Sequence, residues 1–131
     1  MVYFPLILTS LGFFIPTVIA IRNKKYAHSA LIGTLACTSC LYHGTLHCFA
    51  HVVDKIVAHF TGFVFVLHTC KYHICERRME NLQRVIIGCS AIWTYWYRSR
   101  LIEGDNSSKW HLYVHIASII SMNMYCKSDY D

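Results

Sequence analysis

Ser39 to Asp54 reads SCLYHGTLHCFAHVVD. A hydroxyl, an imidazole and a carboxylate sit here in a chain that is otherwise strongly apolar. Ser39 and His43 are four residues apart, so on a helix they share one face, one turn apart. Asp54 follows eleven residues after His43, which places it at the start of the next helix after a tight turn. Ionisable groups at membrane depth are costly and are functional candidates by default.

Working outward, the 131 residues amount to one domain. Hydrophobic residues make up 55% and charged residues 15%, against about 25% charged in a soluble domain. That balance predicts an all-α, multi-pass transmembrane helix bundle. Five apolar runs are expected to span, at about 3–21, 26–48, 54–70, 82–97 and 110–126. The first run has no basic n-region and no clear cleavage site, so it reads as a retained span and not a signal peptide. Pro5 falls in its first turn, and Pro16 should kink it. The turn between the second and third spans is expected near Phe49 to Val53. A basic loop, Lys71 to Arg84, and a polar loop, Arg98 to Lys109, separate the later spans. Trp93-Thr-Tyr-Trp-Tyr97 has the composition of an interfacial aromatic belt.

The net charge of +5 comes from short loops and not from a continuous basic stripe. This argues against nucleic acid as a partner and fits contact with anionic lipid headgroups. With five spans, Arg22, Lys24, Lys25, Lys71, Arg77, Arg78, Arg84 and Lys127 share one side, and Lys55, Arg98, Arg100 and Lys109 the other. The richer side is expected to be cytoplasmic. The one glycosylation sequon, Asn106-Ser-Ser108, then lies on the opposite, lumenal or outer side. An endomembrane location, in the ER or Golgi, is the expectation; the oligomeric state stays open.

Seven cysteines, mostly within apolar runs, read as buried small hydrophobes. Cys37-Thr-Ser-Cys40 has the spacing of a redox or zinc pair, but no second pair accompanies it. His28, His59, His68 and His73 read as interfacial or packed side chains, and His47 and His51 as auxiliary ligands at most.

His111-Leu-Tyr-Val-His115 opens the fifth span. Two imidazoles at i and i+4 share a helix face and can chelate one metal ion. Nine histidines make such a pair weak evidence alone, and His43/His47 and His47/His51 share the spacing. Depth and sidedness strengthen it. His43 lies near the end of the second span, Asp54 starts the third on that side, and His111 and His115 enter there too. A bundle can thus bring His43, His111 and His115 to one point, with Ser39 and Asp54 around it. Three neutral imidazoles and an open position form the ligand set of a catalytic zinc, whose bound water has a pKa of about 7. Asp54 would take or orient a proton; Ser39 would hydrogen-bond an oxyanion or a ligand's free N–H.

Ser-x-x-x-His near the end of one span, Asp eleven residues later, and His-x-x-x-His in the last span resemble the pattern of the CREST superfamily. That group includes alkaline ceramidases, the adiponectin and progestin receptor family and post-GPI-attachment proteins. The matching residues are Ser39, His43, Asp54, His111 and His115. The resemblance implies zinc (Zn2+) held by the three histidines, Ser39 and Asp54 as catalytic or supporting groups, and a membrane lipid amide or ester, ceramide-like, as substrate. Two departures stand beside it. Family members usually have seven spans, and this chain has room for five; losing an even number preserves sidedness. The acidic, tryptophan-containing calcium segment of the ceramidases has no counterpart in Met1 to Phe14.

Two other readings stay open. One is a receptor-like or zinc-holding membrane protein of the same fold without turnover. The other is a bis-histidine haem carrier, using pairs such as His43 with His111, which would show a visible absorption band.

Overall fold

A computed structural model describes residues 4–76, 79–102 and 105–127. It is all α-helical among these, with α1 at Phe4–Gly12, α2 at Phe14–Arg22, α3 at Tyr26–Thr45, α4 at Cys48–Glu76, α5 at Met79–Leu101 and α6 at Asp105–Lys127. The His73 side chain, residues 77 and 78 of the basic loop, and the side chain of the Asn106 sequon fall outside the described residues and side chains.

α1 and α2 are one rod with a break at Phe13. Pro16 has no N–H to offer the Gly12 carbonyl, and its ring crowds that oxygen. The chain responds one turn earlier, where the Phe13 N–H reaches only to the Ser10 carbonyl at 3.2 Å. The rod ends in a Schellman motif. The Lys25 N–H bonds the Ala20 carbonyl at 2.8 Å and the Lys24 N–H bonds the Ile21 carbonyl at 3.0 Å. This turn requires a left-handed residue, and Lys24 supplies it with φ 59°. Asn23 and Lys25 then donate to the Cys126 and Tyr125 carbonyls at 2.6 and 3.2 Å, supplying partners for the otherwise open end of α6.

The α3–α4 turn differs from the expected Phe49–Val53. It is Leu46 and His47, and α4 begins at Cys48. Leu46 takes the left-handed conformation, φ 54°, and its N–H closes on the Tyr42 carbonyl at 2.7 Å. His47 caps α4: its Nδ1 accepts the Phe49 N–H at 3.2 Å. An N-cap is usually Ser, Thr, Asp or Asn, so a capping histidine left no sequence signal. Asp54 consequently sits in the second turn of α4. The helices also outrun the apolar stretches at 71–84 and 98–109, because a helix ends where its backbone bonds run out and not where its apolar face does.

The rods pack as a ring. α1 and α2 lie against α3 and α6, α3 against α4, α4 against α5, and α5 closely against α6. Phe13, Ala20, Ile32, Leu35, Ala36, Met122, Tyr125 and Cys126 form the buried apolar cluster. Small residues permit the close approaches: a Cβ on Gly12 would stand 2.9 Å from Ile119 Cδ1 of α6.

Polarity is distributed in reverse of a water-soluble bundle. Ser10, Ser39, His43, Asp54, Thr61, Thr69, Ser99 and His115 are buried, while Phe4, Phe49, Ile56, Ile87 and Trp93 are each more than 60% exposed. Among the described residues two rods are long and apolar enough to cross a membrane by themselves, Phe4–Arg22 with 19 residues and Cys48–Lys71 with 24. At 1.5 Å per residue they reach about 28 and 36 Å, against a hydrocarbon core of about 30 Å.

Candidate metal centre

His43 stands two residues before the end of α3, and His111 and His115 lie in the second and third turns of α6. The ring topology puts both segments at the end where α1 and α4 begin. The three imidazoles each offer a ligand atom, and these atoms lie within 4.8 Å of one another. Ring centroids are 5.3 Å apart for His43 and His111, 5.1 Å for His43 and His115, and 4.9 Å for His111 and His115. The i, i+4 spacing sets the last distance; only tertiary packing sets the other two. His43 and His115 are buried, and His111 is half-buried.

The hydrogen-bond network decides which atoms are available. Thr9 Oγ1 lies 3.1 Å from the Pro5 and Leu6 carbonyls and 3.1 Å from His115 Nδ1. A hydroxyl has one proton. With that proton on a backbone carbonyl, Thr9 accepts from His115, so His115 carries its proton on Nδ1. Nε2 is then the free donor atom. This is the usual outer arrangement of a metal-ligating histidine. His43 Nε2 is buried with no hydrogen-bond partner. An unpaired buried ring nitrogen costs free energy unless something binds it. The donor set, its spacing and this orphaned atom fit a divalent transition metal of the zinc type.

Ser39 is almost fully buried. Ser10 donates to the Leu6 carbonyl at 2.7 Å, so the 2.9 Å contact between the two hydroxyls has Ser39 donating to Ser10. Asp54 is buried and accepts from Thr38 Oγ1 at 3.1 Å. All five of Ser39, His43, Asp54, His111 and His115 line one cavity of about 970 Å³. On α6 its lining runs from Ser107 to Tyr125, about 27 Å along the axis. The mouth beside the histidines carries His51, Lys55, Ser99, Arg100, Ser107 and Ser108; further along, Phe63, Phe65, Val66, Ile92, Val114 and Met122 make the walls apolar.

Comparison with family models, with curated proteins and with solved structures returned no match.

Three supporting residues, Thr9, Ser10 and Thr38, were missed in the sequence. Thr9-Ser10 is a polar pair inside the apolar run Tyr3 to Ile21, and that interruption was the available signal. Thr38 hides among residues that satisfy themselves within a helix. His51 lines the cavity mouth and stacks on Tyr42, with ring centroids 4.4 Å apart; it is outside the three-histidine group. His47 is an exposed cap. His59 is exposed, its Nδ1 2.7 Å from the Lys55 carbonyl. His28 and His68 meet the Tyr125 hydroxyl at the opposite end of the bundle. Cys37 is exposed and Cys40 half-buried, both as free thiols.

Proposed function

We propose that this chain is an intramembrane zinc-dependent hydrolase of a long-chain lipid amide, ceramidase-like in its chemistry. The observation that carries the reading is the convergence of His43, His111 and His115 to within 4.8 Å on the wall of a long cavity that also holds Ser39 and Asp54. The motif resemblance to the CREST superfamily points to the same five residues.

The bundle is read as five membrane-crossing rods, α1 with α2 forming the first. Its inverted polarity supports this. Apolar side chains stay exposed only where the surroundings are apolar, and hydroxyls, imidazoles and a carboxylate gather inside, as membrane-depth polar groups do. α3 and α6 fall short of the apolar standard of a lone span partly because they carry interior polar groups, Ser29, Ser39 and His43 on α3 and His115 on α6; on α5, Gln83, Ser90, Thr94, Arg98 and Arg100 are exposed. The histidine end is the one with fewer basic residues, which supports a lumenal or outer placement in an endomembrane.

Zinc at this site would polarise the amide carbonyl and acidify water near neutral pH. The chain's own groups do the rest. Thr9 holds the His115 ring in one tautomer. The apolar walls hold the acyl chain and keep bulk water from its length. Asp54 takes one proton from the attacking water and returns it to the amide nitrogen as the C–N bond breaks. The water oxygen ends on the acyl carbon, so the products are a fatty acid and an amine. Ser39 and Ser10 form a hydroxyl pair that fixes the α1–α3 wall beside the centre.

The test is elemental analysis and turnover on detergent-purified protein. About one zinc per chain is expected, falling to background in His43→Ala and in His111→Ala. Asp54→Asn keeps an oxygen for Thr38 and should retain zinc while losing hydrolysis by two orders of magnitude or more, the usual scale of general-base catalysis, roughly 10²–10⁴-fold. Zinc without turnover in the wild type would favour the zinc-holding, non-catalytic reading. No metal in the wild type would end both.

A further inference from the structure

The cavity mouth carries two cations that hydrolysis of an uncharged amide does not need. Arg100, next to last in α5, is exposed and lines the cavity mouth. Its guanidinium lies over the Trp96 ring, 5.4 Å from the centroid. Lys55 directly follows Asp54 on α4, is half-buried, and lines the same mouth. Ser107 donates to the Ser99 carbonyl at 2.6 Å, tying the start of α6 to the end of α5 and so fixing Arg100 beside His111. Among the described residues neither Arg100 nor Lys55 has an acidic partner, and the Asp54 carboxylate is engaged by Thr38.

Positive charges gathered at one cavity mouth repel each other and any metal cation bound by the histidines. Such an arrangement is stabilised when an anion enters. A guanidinium pinned on an indole face presents its N–H fork in a restricted orientation, suited to a carboxylate or a phosphate. Directionality follows from the walls. The acyl chain fills the apolar length toward Tyr125, so the amine portion of the substrate lies at the mouth, where Arg100 and Lys55 are.

We infer that the substrate is a long-chain N-acyl amide whose amine portion carries an anion, a carboxylate or a phosphate, bound by Arg100 and Lys55. This rests on the hydrolase reading for the word substrate. The anion-binding mouth itself is independent of turnover. Arg100 and Lys55 are specificity-determining residues in this scheme and take no part in bond breaking.

The experiment compares three amphiphiles with one acyl chain: neutral N-lauroylethanolamine, N-lauroylglycine and N-lauroylphosphoethanolamine. Equilibrium binding is measured on the full chain in uncharged detergent after chelator treatment, so that no anion is held by a metal. Both anionic compounds should bind about tenfold or more tightly than the neutral one, the scale of a charged hydrogen-bonded pair. The tighter of the two identifies carboxylate or phosphate as the native group. The Arg100→Gln/Lys55→Gln double variant should reduce the preference to within about threefold, and Arg100→Lys should keep part of it. Zinc content of each variant reports that the bundle is folded. Equal affinity for neutral and anionic amphiphiles in the wild type overturns the inference, as does a preference that survives the double variant. A binding preference without hydrolysis of any amide by the zinc-loaded protein removes the hydrolase reading and leaves the anion site. Hydrolysis with equal kcat/KM for all three does the reverse.

Discussion

Replacing Thr9 by Val removes the hydroxyl that meets His115 at the candidate metal centre. The side chains have nearly the same shape, so packing of α1 against α6 is retained while the hydroxyl is lost. In the native arrangement Thr9 Oγ1 gives its proton to a backbone carbonyl 3.1 Å away and accepts from His115 Nδ1 at 3.1 Å. Without that acceptor, the proton on Nδ1 has no partner in a buried ring. Two consequences follow. The metal-free protein loses about 1–3 kcal/mol, the cost of stranding a buried polar group. Zinc affinity falls about 10- to 100-fold, because the ring is no longer locked in the tautomer that leaves Nε2 free; that is about 1.4–2.8 kcal/mol. Competition against a chelator of known affinity measures the second effect, and chemical or thermal unfolding of the stripped protein measures the first. Thr9→Ser should restore most of both. Thr34→Val is the control, since that exposed hydroxyl bonds only to the Ala30 carbonyl of its own helix at 2.8 Å; its effect should stay within about 0.5 kcal/mol. Native zinc affinity in Thr9→Val, with His115→Ala losing zinc, would refute the argument that Thr9 sets the His115 tautomer.

Three further outcomes test the fold. Lys24→Gly should stabilise the protein by about 1 kcal/mol, seen as a raised unfolding midpoint, because Lys24 holds a left-handed φ of 59° that glycine adopts without penalty. Gly88→Val should destabilise it by about 1–3 kcal/mol, since a Cβ at that point lies 2.7 Å from Ser121 Oγ and 3.5 Å from Ser121 Cβ across the α5–α6 contact; a neutral result would refute a tight approach of the two helices at Gly88. The chain should stay with the membrane fraction through alkaline carbonate extraction, and release into the soluble fraction would remove the membrane-bundle reading.

The sequence by itself determined the helices and the end of the bundle at which the three histidines gather. Apolar runs of span length, Pro16 and the polar breaks at Asn23-Lys-Lys25 specify rods and their order. An alternating antiparallel order then puts His43, Asp54, His111 and His115 at one end whatever the packing. The i, i+4 pair His111 and His115 was equally legible, because helix geometry is local. Helix ends were not. Leu46 in a left-handed turn and His47 as a cap are conformations that neither residue type prefers, and the surrounding packing selects them. Nor could the sequence say which hydroxyls among many reach His115, Ser39 and Asp54. Thr9, Ser10 and Thr38 meet partners 106, 29 and 16 residues away. The same holds for the 5.1 Å approach of His43 to His115. Those contacts depend on how rods rotate and close about one another, which is set by the summed packing of all six helices and by no short stretch of chain.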